Sequence, residues 1–336
     1  MTIEELWQAL EVEAATARGP AWLTRRATLQ PGWPLLVALD PASRTRTLLL
    51  PAPRSTLPPR REWPECRGLE FQTLALGAET HCAVRLRDAA GADVFTALAE
   101  DLASRVAAAA NGREAVAALF GRLRRWQQFL LAARAGLSRE QERALWGELH
   151  VARVHLLPAF GPAATVEAWK ATTAAHQDFQ FSAGALEVKT TAAKQPQSVR
   201  ITSERQLDDT GVGALFLHVV VLDERDVAPA GSTPGESLPA LIATLRAGLS
   251  GEPAVVASFD DLLLDAGYLD THAPRYEGRR RTVRRELTFR VRRGFPRLTE
   301  RKLPAGIGDV SYALSLAACA SFAVEAAAAL TAFQSP

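Results

Sequence analysis

Cysteine is scarce in this chain. The 336 residues contain only Cys66, Cys82 and Cys319, too few and too widely spaced for a disulfide framework and without the C-x-x-C pairing of a zinc site. A reducing, cytoplasmic setting is therefore expected. The start "MTIEELWQAL" lacks the basic residues and apolar run of a secretory signal. One segment is long enough to span a membrane, Tyr312 to Phe333, but it is mostly alanine and carries Glu325. An acid at that depth is costly and alanine offers little in return, so a packed C-terminal helix is expected and no membrane partner. The six histidines show no HxxxH or HExxH spacing, and there is no Walker A sequence and no GxSxG. "GVG" at 211–213 is too short for a dinucleotide site, and no internal repeat is visible. Lysine is also rare: Lys170, Lys189, Lys194 and Lys302 are the whole set, arginine serving elsewhere.

What is present fits a folded enzyme or binding protein. Nearly half the residues are apolar and about a quarter are charged, which excludes a disordered chain. The formal charge of +2 conceals an asymmetry. From Pro274 to Lys302 twelve Arg or Lys face three Glu, so one region is strongly basic and the rest of the chain is net acidic.

The first hundred residues read as a β-rich unit. "PLLVALD", "RTLLL", "GLEFQTLAL" and "HCAVRLRD" are short apolar runs, the last alternating Cys82, Val84 and Leu86 against Arg85 and Arg87. Helical spacing takes over at Ala92 to Ala109 and Arg113 to Arg134, with Asn111-Gly112 between them. This places a β-rich recognition or docking domain at 1–112 and a second domain at 113–336. Ser138 and Gln141 form a capping box for a third helix with the stripe Leu145, Leu149, Ala152 and Leu156. Glu148 is turned toward that buried side, which is unusual for an acid. A short strand at Thr165 to Trp169, a helix at Ser203 to Leu207 and an unalternating central strand at Gly213 to Leu222 are expected next. A helix at Leu238 to Leu249, another capped by Ser258 with Asp261, and an arginine-rich strand at Glu286 to Arg293 complete the reading.

The chemistry is concentrated in "HQDFQFSAGALEVKTT", 176–191. A tight turn at Ala183-Gly184 would pair two strands, with Phe179, Phe181, Leu186 and Val188 apolar and Asp178, Glu187 and Lys189 on the other face. Two carboxylates suit a hard divalent cation such as Mg²⁺ or Mn²⁺. Lys189, roughly 6 to 7 Å along the strand from Glu187, would supply an ammonium to orient a water and stabilise phosphate charge. Arginine, a fixed fork with a very high pKa, could not take that role. The bland alternative is a solvated hairpin face carrying a surface ion pair worth about 0 to 1 kcal/mol.

Asp178 with Glu187-Val188-Lys189, preceded by a helix bearing Glu148, resembles the PD-(D/E)XK nuclease superfamily. "LWGELHVARVHLL", "DFQFSAGALEVKTT", "VRITSERQL" and "RRGFPRL" resemble more closely the bacterial PD-(D/E)XK motif proteins of phage-defence and restriction gene clusters. The motif's proline is replaced by Gln177. The resemblance implies an α/β (α+β) restriction-endonuclease-like core in the order helix, three strands, helix, strand. It also implies Asp178 and Glu187 as metal ligands, Lys189 as the catalytic lysine, Glu148 as the acid completing the site, Gln206 as a helper and Arg200 as a phosphate contact. Arg290 and Arg292, opposite the apolar Leu287, Phe289 and Val291, could track a nucleic-acid backbone or form a solvated strand face. His176 lies near the hairpin. The expected function is a Mg²⁺- or Mn²⁺-dependent DNA endonuclease of anti-phage defence, working as a homodimer. The alternatives are an inactive nuclease-fold DNA-binding or assembly subunit beside an ATPase or methyltransferase, and a nuclease acting on RNA.

Overall fold

The computed structural model describes residues 1–16, 21–28, 32–40, 43–65, 68–88, 91–132, 136–170, 176–226 and 234–334, the side chains of 128–132 excepted; Cys66 and Arg134 lie outside the described residues. The chain forms two compact units, Met1–Arg134 with Leu269–Thr271, and Ala135–Tyr268 with His272–Pro336.

The first unit opens with helix α1 (Ile3–Thr16) and strands β1 (Leu23–Arg26), β2 (Leu36–Leu39), β3 (Arg46–Pro51), β4 (Leu69–Leu76) and β5 (Glu79–Leu86). These make an antiparallel sheet in the order β1-β2-β3-β5-β4. Helices α2 (Ala92–Ala107) and α3 (Gly112–Ala132) follow and belong to this unit. The sequence reading ended the first domain at 112, at the Asn111-Gly112 stop between two helical stretches. The chain instead stays with its sheet through α3, because the apolar stripe of α3, Ala115, Val116, Leu119 and Leu123, is buried.

The second unit begins at α4 (Arg139–Val151), capped as the sequence requires: Gln141 N donates to Ser138 Oγ and Ser138 N to Gln141 Oε1. One π-helical turn (Ala152–Leu156) and helix α5 (Leu157–Ala168) continue it. Strands β6 (Phe179–Phe181), β7 (Gly184–Thr191), β8 (Ser198–Ile201) and β9 (Leu215–Asp226) come next, then helices α6 (Leu238–Leu249), α7 (Pro253–Asp265) and α8 (Ala273–Tyr276). The unit ends with β10 (Arg279–Val291), β11 (Tyr312–Ser315), β12 (Ala323–Val324) and α9 (Ala326–Gln334). The mixed sheet runs β12-β10-β9-β7-β6, and β8 pairs separately with β11. Strands β7 and β9 are parallel, the other neighbours antiparallel. Apolar cores cover both faces. Leu186, Val188, Phe216 and Val220 pack under Leu145, Trp146 and Leu149 of α4. Ala185, Leu217 and Val219 pack on the opposite face with Val199, Ile201 and Leu314. This explains the unalternating β9 sequence. Among the described residues no helix is long and apolar enough to cross a membrane.

The structure revises several local expectations. The chain at Thr165–Ala168 is helical, and only Trp169 bridges to Phe179 in strand fashion. Ser203–Leu207 forms turns, not a helix. Its N–H groups bond three residues back, Gln206 N to Ser203 O (3.2 Å) and Asp208 N to Arg205 O (3.1 Å), and side chains satisfy further carbonyls: Gln177 Nε2 donates to Arg205 O (3.1 Å) and Gln206 O (3.4 Å), and Arg297 donates to Leu207 O. The order therefore lacks the predicted helix between β8 and β9. Helix α7 starts at Pro253, which suits a first helical turn, while Ser258 lies inside it and donates to Ala254 O. Strand β10 begins at Arg279, earlier than the composition indicated, because Arg279, Arg281 and Thr282 stand opposite Asp226, Glu224 and Asp223 of a longer β9. The alanine-rich C-terminus is α-helical only from Ala326; before it, Tyr312–Ser315 pairs with β8, Leu316–Phe322 forms a 3-10 helix and Ala323–Val324 pairs with β10.

Candidate active site

The β6–β7 hairpin turns at Ser182 and Ala183, with Phe181 opposite Gly184 and Phe179 opposite Leu186. The predicted turn at Ala183-Gly184 is displaced by one residue. Gly184 is required instead by close approach, since a Cβ there would lie 2.4 Å from Ala214 O, a contact no Cβ tolerates. Continuing the observed register sets Asp178 opposite Glu187, so side-chain alternation sends both to one side of the sheet.

Asp178 Oδ2 accepts a hydrogen bond from Val188 N at 2.7 Å, fixing that carboxylate across the hairpin. Glu187 is fully buried, and Lys189 Nζ lies 2.6 Å from its Oε1. Glu187 Oε2 receives no hydrogen bond from the described residues. Glu148, on α4, accepts a hydrogen bond from Trp169 Nε1 at 2.9 Å, and Trp169 in turn bridges Phe179, the residue after Asp178. The bland expectation of a solvated face therefore fails for this hairpin.

The electrostatics follow from crowding three acids around one ammonium. Burial, and then the charge of Asp178, pushes the Glu187 carboxyl up to about 8. Glu148 is raised well above the usual carboxylate range by burial and by Asp178, against the Trp169 hydrogen bond. Asp178 is raised by burial, opposed by Lys189 and the Val188 N–H. For Lys189 burial favours the neutral form, but Glu187 and Asp178 outweigh it and hold the ammonium above its ordinary value. Fully ionised, these carboxyls would carry more negative charge than one lysine offsets, which adds to burial in raising Glu148 and Glu187, and Glu187 Oε2 has no hydrogen-bond partner among the described residues. Such a donor set fits a hard divalent cation held by Asp178 and Glu187, with Glu148 beside them.

The remaining predicted residues lie apart. Gln206 Oε1 accepts from Thr202 N (2.9 Å) and Thr202 Oγ1 (3.1 Å), so its side chain closes its own turn; only its main chain meets the hairpin, through Gln177. Arg200 is exposed on β8 and donates to Ser311 Oγ at 3.1 Å. Arg290 and Arg292 are exposed on β10, their guanidinium groups over Phe216 (5.7 Å) and Phe322 (5.8 Å), while Phe289 and Val291 are buried. His176 is exposed and lines, with Gln177, Gln180, Arg205 and Arg301, a concavity of about 660 Å³ beside β6 that excludes the acidic trio.

Sequence reasoning missed three features. Gln177, in the place of the motif's proline, is buried and ties the hairpin to the 203–207 turn. Gly147 has no side chain to hold α4 away from β7. Glu142, next to the capping box, is wholly buried on Arg281. The pairing of Trp-Gly before Glu148 was the available signal for the second.

No curated protein and no solved structure matches the chain. A family model does match, over residues 3–317. With that match added to the hairpin geometry, the chain belongs to the family described as "Putative PD-(D/E)XK family member (DUF4420)".

Proposed function

We propose that this protein is a divalent-metal-dependent endonuclease that hydrolyses DNA phosphodiester bonds in bacterial anti-phage defence or restriction. The observation that carries the reading is the clustering of half-buried Glu148 and Asp178 and fully buried Glu187 around Lys189. When bound, Mg²⁺ or Mn²⁺ supplies Lewis-acid charge beside the scissile phosphate. Asp178 and Glu187 hold that ion, Asp178 kept in orientation by the Val188 N–H. Lys189, held as an ammonium by the surrounding carboxylates, orients the attacking water and offsets negative charge as the phosphate is attacked. Glu148 completes the acidic wall, positioned by Trp169. Arg200, Arg290 and Arg292 are exposed and suited to backbone phosphates, which would fix the duplex without reading its sequence. The first unit serves recognition or docking, and the protein works in the cytoplasm as a homodimer beside an ATPase or methyltransferase of the same defence operon.

The test is cleavage of duplex DNA by purified protein with Mg²⁺ or Mn²⁺, compared with Lys189→Ala and Asp178→Ala. Each substitution should lower the rate by about 100-fold or more. Cleavage that survives both would end the proposal. Metal-independent, salt-sensitive DNA binding without cleavage would favour the assembly-subunit reading, and cleavage of RNA alone would reassign the substrate.

A further inference from the structure

A second cluster occupies the other face of the sheet. His218 pairs with Val188 across β9 and β7, and Val188 is flanked by Glu187 and Lys189, whose side chains alternate to the opposite side. On β10, Thr288 stands opposite His218 and Glu286 opposite Val220, so His218, Thr288 and Glu286 share the face under α4. From above, His150 on α4 and His155 on the π-helical turn reach down to the same carboxylate. His150 Nε2 lies 2.8 Å from Glu286 Oε1, and His155 Nε2 lies 2.8 Å from Glu286 Oε2. Residues five apart share a face only because the helix widens there: Leu157 N bonds Ala152 O, five residues back. Such π turns are often found at functional sites. A search for α-helical HxxxH spacing overlooks the pair for the same reason.

His218 supplies the independent observation. It is 2% exposed. Its Nδ1 is engaged by Thr288 Oγ1 at 2.9 Å, while Nε2 points toward Glu286 Oε1, 3.9 Å away, and has no hydrogen-bond partner among the described residues. With Nδ1–H donating to Thr288, Nε2 carries a lone pair, the arrangement that commonly orients a ligating histidine. Ligand atoms of His155, His218 and Glu286 all lie within 4.8 Å of one another. Around a tetrahedral ion with bonds of about 2.0 to 2.1 Å, ligand atoms are roughly 3.3 Å apart. Small side-chain movements would bring the three to that spacing. His155 and Glu286 are partly exposed, 20% and 23% by side chain, which leaves a way in from solvent.

We propose that His155, His218 and Glu286 bind one divalent transition ion of the zinc class, with His150 holding the second oxygen of Glu286. Imidazole donors suit zinc and its neighbours, whereas the all-carboxylate cluster on the other face suits a hard cation. Three protein ligands leave one position open. The ion ties the π turn to β9 and β10, and so clamps the helix that carries Glu148. This site is separate from the proposed nuclease centre and stands whether or not that centre cleaves DNA.

The test is Co²⁺ titration of the full chain carrying Asp178→Asn and Glu187→Gln, which removes the acidic cluster as a competitor, read by visible absorption of four-coordinate Co²⁺ and by calorimetry. One equivalent should bind, be displaced by Zn²⁺ and resist Mg²⁺. His155→Gln in that background should weaken binding by about tenfold or more, with circular dichroism checking the fold; should that variant not fold, Glu286→Gln replaces it. Absence of the Co²⁺ absorption in the parent protein overturns the proposal, as does binding unaltered by either substitution. Because neither arm measures DNA cleavage, failure here and failure of the nuclease reading are distinguishable.

Discussion

Gly147 on α4 stands so close to Thr190 on β7 that a Cβ added to the glycine would lie 2.1 Å from Thr190 Cγ2. The next residue is Glu148, so this close approach sets how deeply that carboxylate sits. Gly147→Ala should therefore lift α4 or twist Thr190 out of its rotamer, at a cost of about 1 to 3 kcal/mol. Urea unfolding of Gly147→Ala, Thr190→Ser and the double variant checks the cause. Removal of the Thr190 methyl should recover most of the loss, and additive losses would show that the contact is not responsible.

Glu187 gives the metal-free protein a distinctive pH dependence. In the folded chain its carboxyl is raised from 4.5 to about 8. Between those values the folded state holds a proton that the unfolded state has released, so stability falls as pH rises through that window. Glu187→Gln should flatten that decline. The difference between the two melting-temperature profiles, measured in chelator, isolates it from His218, whose value burial lowers from 6.5 and which acts in the opposite sense below it. Added Mg²⁺ should stabilise wild type more at the alkaline end than at the acid end, since it binds the ionised carboxylates.

Glu142 and Arg281 form an ion pair at 3.0 Å with both side chains wholly buried. Glu224 stands 3.6 Å from Arg281 Nε and also receives Arg143 at 2.6 Å. Glu142→Ala should destabilise the second unit by about 3 kcal/mol, because it leaves a buried guanidinium with the more distant Glu224 as counter-charge. Replacing the pair together, as Glu142→Leu with Arg281→Met, should restore most of that loss in denaturant melts.

Arg290 and Arg292 are exposed, whereas several arginines of the same basic segment are committed internally. Arg281 is buried on Glu142, Arg285 donates to Gln197, and Arg297 pairs with Asp209 at 2.8 Å. The local positive charge available to a polyanion is therefore smaller than the composition indicated. Arg290→Gln and Arg292→Gln should each weaken duplex binding across all sequences and reduce the salt slope by about one. Fluorescence anisotropy at several salt concentrations reads this; unchanged slopes would remove both residues from the interface.

The sequence by itself determined the elements whose signal is local. The capping box at Ser138, the bounds of α6, the continuous apolar run of β9 and the alternating hairpin carrying Asp178, Glu187 and Lys189 all follow from residues close together in the chain. Alternation alone places those three side chains together, because it is a property of any extended chain. Tertiary structure decided the rest. The arginine-rich start of β10 is a strand only because β9 offers Asp223, Glu224 and Asp226 opposite it. The 203–207 segment forms turns with bonds three residues back, and Gln177 and Arg297, from distant parts of the chain, hold its later carbonyls. His150, His155, His218 and Glu286 come from a helix and two strands, and their meeting depends on a π turn that no short-range pattern announces. Local geometry is written in neighbouring residues, whereas burial, partner choice and the convergence of distant side chains are set by packing between elements far apart in the chain.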